Sequence, residues 1–180
     1  RILNNKQPLS LQTLDAMTAG TVLVNGSGVT LNGNMTVNTN LILTSGNITL
    51  GANNLTLNSS VEGTANSHVV TNGTGSVISN GIGINPVVVP VGPDATSYNP
   101  AIISNGQGRD YSVRVVVGHN PAIANSARAI NRTWYITPNT PPPANVNILL
   151  QYATADANAS ASATALMEVG VHNGTAWNLV

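Results

Sequence analysis

Between Val22 and Leu57 the chain repeats one short phrase, an apolar pair flanking a middle residue that is usually Thr. The copies are Val22-Leu23-Val24, Val29-Thr30-Leu31, Met35-Thr36-Val37, Leu41-Ile42-Leu43, Ile48-Thr49-Leu50 and Leu55-Thr56-Leu57, set apart by brief Asn, Gly and Ser stretches. An apolar residue at every second position is the signature of a strand with one buried face. Neighbouring phrases follow at six or seven residues, too close for a helix and its turn. Every third phrase tells more: Val22 to Leu41 and Val29 to Ile48 are both 19 apart, and Met35 to Leu55 is 20. Three strands therefore make one turn of a coil, each strand lying about 4.8 Å from its counterpart on the next turn.

This spacing predicts a short three-sided parallel β-solenoid. A weaker third turn runs through Val61, Val69-Val70 and Val77-Ile78, and Leu9, Leu11 and Leu14 begin or cap the coil at the other end. Asn25-Gly26, Asn32-Gly33, Ser45-Gly46 and Asn72-Gly73 are expected to turn the chain at positive φ. Stacking also sets Asn over Asn, so amide ladders should run along the coil. Each inward Leu, Ile or Val contributes about 1.5–3 kcal/mol by leaving water, and a dozen of them suffice for a small coil. The competing reading is an antiparallel sandwich of short strands. Three-residue strands suit it poorly, because hairpins favour strands of about 5–6 residues.

After Ile78 the texture changes. Prolines appear at Pro86, Pro90, Pro93 and Pro100, the phrase stops, and longer alternating runs take over: Tyr111 to Val117, Arg132 to Thr137 and Val146 to Tyr152. With Val87 to Val91, Ala101 to Ser104, Met167 to His172 and Ala176 to Val180 these make about seven strands, which predicts an immunoglobulin-like antiparallel β-sandwich. The boundary falls between Asn80 and Asn85, giving a solenoid over 1–82 and a sandwich over 83–180. Ala153 to Ala165 is rich in Ala and Ser, lacks an apolar stripe at helical spacing, and reads as a surface loop as readily as a helix.

Composition narrows the function. Charged residues are only 7% and net charge is zero, so no basic field gathers phosphates. Nucleic acid and inserted or anionic membrane are unexpected partners; Asn, Thr and Ser keep the surface wet without long-range repulsion, which permits close self-association. Cysteine is absent, excluding disulfides and thiolate metal sites. The N-terminal Arg1-Ile2-Leu3-Asn4 does not read as a signal peptide, and Trp177-Asn178-Leu179-Val180 reads like the middle of a strand, so the chain is expected to be a piece of something longer.

Catalytic chemistry has no evident seat. Carbohydrate-active solenoids need paired carboxylates or acidic calcium ligands on one face, whereas Asp15, Glu62, Asp94, Asp110, Asp156 and Glu168 are scattered singly. His68, His119 and His172 share no metal-ligand spacing and are assigned to surfaces or turns. No Gly-x-Ser-x-Gly elbow and no phosphate-cradling loop leading into a helix is present. The expectation is a non-enzymatic protein without catalytic residues, metal or cofactor. Trp134, Tyr135, Tyr152 and Trp177 are candidate glycan contacts, with a core role for Trp134 and Trp177 the stronger reading. Asn34-Met35-Thr36 and similar triplets read as turn-then-strand chemistry and not as glycosylation sites. Outward threonines also occur on ice-binding solenoids; here Thr30, Thr36, Thr49 and Thr56 are divided among different sides of the coil, which weakens that match.

The chain resembles a module common in very large secreted proteins of Bacteroidota, exported by the type IX secretion system and displayed as adhesins. The residues that carry the resemblance are the Leu-Thr-Leu and Ile-Thr-Leu phrases, Val69-Val70-Thr71-Asn72-Gly73-Thr74-Gly75, Pro90-Val91-Gly92, Tyr98-Asn99-Pro100, Asn131-Arg132-Thr133-Trp134, Leu150-Gln151-Tyr152 and His172-Asn173-Gly174-Thr175-Ala176-Trp177. It covers most of the chain from about Thr21; no sorting domain is visible at the C-terminus. It implies export and display at the cell surface. The expected function is an extracellular structural unit, a spacer or self-assembling part of an adhesin or filament, whose partners are its own copies or neighbouring domains. The alternative is a glycan-binding adhesion module.

Overall fold

The structure, a computed structural model, describes residues 2–5, 12–59, 61–158 and 169–179. Its first ten strands are β1 (Ile2–Asn5), β2 (Gln12–Leu14), β3 (Met17–Gly26), β4 (Val29–Leu31), β5 (Met35–Ser45), β6 (Ile48–Thr49), β7 (Leu55–Leu57), β8 (Val61–Glu62), β9 (Val69–Val70) and β10 (Val77–Ile82). There follow β11 (Val87–Val89), β12 (Val91–Gly92), β13 (Ala101–Ser104), β14 (Arg109–Val117), β15 (Arg132–Pro138), β16 (Asn147–Leu150), β17 (Gly170–His172) and β18 (Trp177–Leu179). Two 3-10 turns, Ser126–Arg128 and Thr154–Asp156, are the only helical pieces among the described residues. Met167 and most of the Ala153 to Ala165 segment lie outside them.

The apolar phrases stack as their spacing demands. Val22 pairs with Leu41, Val29 with Ile48 and Met35 with Leu55, all in parallel. The next turn sets Val61 on Leu41, Val69 on Ile48 and Val77 on Leu55, so the weaker third turn is present. Leu14 lies beside Leu31 at the other end, while Leu9 and Leu11 fall outside the described residues. The result is a parallel β-solenoid of about four turns.

Its first side is five parallel strands in the order β2-β4-β6-β9-β12. The second side stacks the beginnings of β3 and β5 with β7 and β10; the third stacks β1, the ends of β3 and β5, and β8. Met35-Thr36-Val37 and Leu41-Ile42-Leu43 are thus two ends of one strand, not separate strands. Where β3 runs beside β5 the register slips between Ala19 and Thr21, and such an irregularity bends a strand round a corner without ending its ladder. On the first side the distance between partners grows from Gln12–Val29 through Val29–Ile48 and Ile48–Val69 to Val69–Val91. The strands keep their register, so the added residues go into the corners.

Packing follows the phrase. Val29, Leu31, Met35, Val37, Ile48, Leu50, Leu55 and Leu57 are buried, while the Thr between them stay half-exposed. Asn ladders run along the coil: Asn58 donates to Asn38 and Asn80 to Asn58, at 2.7 and 2.6 Å. Of the expected positive-φ turns, Asn25-Gly26 and Ser45-Gly46 behave as foreseen, with Gly26 at +153° and Gly46 at +78°. Gly33 and Gly73 do not take positive φ; they are required because a Cβ would sit 2.4 Å from the Ala16 nitrogen and 2.2 Å from the Gly51 oxygen. At those two corners the constraint is the neighbouring turn, not the chain's own torsion.

Beyond Ile82 the ladders continue. β12 sets Val91 on Val69 as the fifth strand of the first side, and β14 joins β10 antiparallel, followed by β15. β11, β13 and β16 make a separate three-stranded antiparallel sheet. Val89, Ala101 and Ile103 from that sheet, and Tyr111, Val113 and Val115 from β14, belong to one core with the solenoid's Leu and Ile residues. The hairpin β17–β18 pairs only with itself.

Candidate functional site

Three segments remote in sequence meet at a buried polar joint. Asn99, wholly buried in the loop after β12, donates from Nδ2 to Asp156 Oδ2 at 2.6 Å and accepts at Oδ1 from Arg132 Nε at 2.8 Å. Arg132, at the start of β15, also donates to Asp156 Oδ1, to the Asn131 carbonyl and, at 3.3 Å, to Ser97 Oγ. Asp156 receives the Ala153 N–H as well, and Trp134 Nε1 donates to the Asn99 carbonyl. The Arg132 and Asp156 side chains are only 7% and 6% exposed. Both oxygens of this carboxylate are engaged, and the guanidinium beside it offsets its charge out of water. The joint fastens the loop after β12, β15 and the turn after β16 to one another.

A second cluster flanks it. Asp94 accepts from the N–H and hydroxyl of both Thr96 and Ser97, at 2.8–2.9 Å. Burial pushes this carboxyl up, but those four hydrogen bonds together outweigh it and hold the group below its ordinary value. His68 was assigned to a surface or turn; it stands at a corner of the coil but is fully buried. Its Nε2 is 2.8 Å from the Asp94 carbonyl, which can only accept, so Nε2 carries the proton. The Nδ1 atom has no hydrogen-bond partner among the described residues, and the ring packs 5.5 Å from that of Tyr98.

The outward face of the second side is the most regular polar surface. Register places Thr18, Thr36 and Thr56 in one file, continued by Ile78, Ser112 and Thr137. Two residues along, on the same face, come Asn38, Asn58 and Asn80. Asp110 and Asn139 extend that second file: Asp110 accepts from the Gly81 N–H, and Asn139 Nδ2 donates to Asp110 at 2.9 Å. The first side carries its own file of Thr13, Thr30 and Thr49. Thr30 and Thr36 do lie on different sides, as expected, yet each side gathers a hydroxyl row of its own.

The four candidate aromatic residues do not converge. Trp134 turns inward against the core, as its core reading requires. Tyr135 faces outward with the Arg114 guanidinium 3.8 Å from its ring centre. Tyr152 is half-buried beyond β16. Trp177 stands outside the core, against the expectation for it, with His172 at its edge and Nε1 donating to the Pro121 carbonyl. Its hairpin is a two-stranded sheet and offers no second layer to bury an indole.

The described surface carries shallow depressions. One, of about 240 Å³, is lined by Ile78, Asp110, Ser112, Thr137, Pro138 and Asn139, on the hydroxyl and amide files. Another, of about 480 Å³, is mixed in character, with Ile42, Val61 and Val88 beside Thr44 and Thr64. Among the described residues no three His, Asp or Glu side chains are placed to hold a metal. Set against family models, curated proteins and solved structures, the chain matches none of them.

Proposed function

We propose that this chain is a non-enzymatic extracellular structural module, a spacer or self-assembling unit of a cell-surface adhesin or filament, of the kind carried by large type IX-secreted proteins of Bacteroidota. The observation that carries the reading is a stacked column whose ladders, among the described residues, stop at strands with one free edge. Among the described residues β15, β16 and β12 each have a partner on one side only, and β16 presents Ile148 and Leu149 at 48% and 63% exposure. Such edges are templates for strand addition from a neighbour. The acids support a structural role. Asp15 is bonded by Asn32, Asp94 by Thr96 and Ser97, Asp110 by Gly81 and Asn139, and Asp156 by Arg132 and Asn99.

The finer reading of residues 83–180 as an immunoglobulin-like sandwich is supported by two antiparallel groups within them, β11-β13-β16 and β14-β15, with Val89, Ala101 and Ile103 in the same core as Tyr111, Val113 and Val115. Electron microscopy and light scattering on the purified chain test assembly. Ordered polymers or oligomers that disappear in Leu149→Lys are expected; a strictly monomeric particle at high concentration would remove the self-assembly reading.

A further inference from the structure

The hydroxyl file of the second side crosses six strands, so at about 4.8 Å per strand it is roughly 24 Å long. Thr18, Thr36 and Thr56 direct their hydroxyls to solvent, and these bond nothing among the described residues, while the amides beside them are fixed by bonding to each other. A row of unengaged hydroxyls at constant spacing beside a row of locked amides offers a ligand donors and acceptors that need no ordering on contact. Asp110 brings the only carboxylate within the two files, and it is already held by Gly81 and Asn139. Arg114, two residues beyond Ser112 on the same face, offsets that charge, so the face is neutral as a whole and suits an uncharged ligand.

The geometry points to an extended, uncharged β-linked polysaccharide as the ligand of this face, its chain running across the strands from β5 to β15. Such a polymer carries hydroxyls along both edges and repeats at nearly the spacing of one strand, so successive sugars meet Thr and Asn on β5, β7 and β15, Ile78 and Asn80 on β10, and Ser112 and Asp110 on β14. Where the hydroxyl file is broken, Ile78 floors the depression between Ser112, Thr137 and Asn139, an apolar seat for the C–H face of a ring. Tyr135, already covered by Arg114, stands at the margin of that seat and not in its floor. This inference adds a ligand to the spacer reading without depending on it, since the ligand would meet outward side chains of the sheet face, whereas strand addition at β15 would use the backbone of its free edge.

The test is depletion of the full chain from solution by microcrystalline cellulose and by chitin, with helical amylose as control and assembly state recorded in parallel. Binding to a β-linked polymer is expected, weakened about tenfold or more in the double variant Thr36→Val/Thr56→Val, which removes two hydroxyls while keeping shape. Thr137→Val, on the outermost strand, is the second variant should the first fail to fold; it is expected to weaken binding, and Trp177→Ala to leave it unchanged. No depletion by either polymer, equal binding by the valine variants, or loss of binding in Trp177→Ala would overturn the proposal. So would shaping of growing ice crystals without polymer binding, which would assign the face to ice.

Discussion

Arg132 and Asp156 form a buried ion pair in which Asn99 bonds both partners, one through each end of its amide. Removing one member leaves the other charged and out of water. Asp156→Ala is therefore expected to cost about 3–5 kcal/mol, read as a lowered urea midpoint. The double variant Arg132→Met/Asp156→Leu should cost clearly less than the two single changes summed, because it strands no charge. A loss below about 1 kcal/mol in Asp156→Ala would mean the joint does not hold the fold together.

Inward and outward positions of one phrase should respond differently. Leu55 is fully buried, so Leu55→Ala is expected to lose about 2–5 kcal/mol through transfer and cavity terms. Thr56→Ala, one residue on and facing out, should stay within about 0.5 kcal/mol. Equal losses in a denaturation series would contradict the assignment of sides.

Corner glycines offer a second contrast. Gly46 combines φ of +78° with a would-be Cβ only 2.3 Å from the Gly28 nitrogen, whereas nothing lies within 4 Å of a Cβ at Gly83. Gly46→Ala is expected to destabilise by at least about 1–3 kcal/mol. Gly83→Ala should be close to neutral in thermal melts.

Asp94 sets an acid limit. Its folded pKa is depressed, so the stabilisation is complete above the unfolded value near about 3.9 and is lost as pH falls through the folded value. Wild type should lose more stability than Asp94→Asn on acidification below about pH 4. Parallel pH dependences of the two proteins would show that the Thr96 and Ser97 bonds do not discriminate the charged form.

The column was legible because its instruction is local and repeated. An inward residue at every second position fixes a strand's buried face, and a constant step fixes which strand lies on which, so the Val22–Leu41, Val29–Ile48 and Met35–Leu55 pairings could be read before any coordinates. The joint obeys no period. Asn99, Arg132 and Asp156 are polar, distant and individually unremarkable, and the same scatter that argued against catalysis hid their convergence. His68 was missed for a related reason, although a signal existed. The position just before each first-side strand is filled by Gly28, Asn47, His68 and Pro90 on successive turns, and three of the four are buried. The hydroxyl file was half visible: the every-third rule aligns Thr36 with Thr56, but only the antiparallel addition of β14 and β15 carries it on to Ser112 and Thr137.

The slow lengthening of successive turns, with partners on the first side drifting apart in sequence while their pairing holds, separates two kinds of position. Sides are intolerant of a single inserted residue, since it would turn every following side chain inside out. Corners absorb such insertions as a staircase absorbs wider landings. New chemistry, whether a loop for a protease, a tag or a sugar-binding finger, is therefore best grafted at the corner between Leu50 and Leu55, which already holds one residue more than its counterpart between Leu31 and Met35 while the strands on either side keep their pairing.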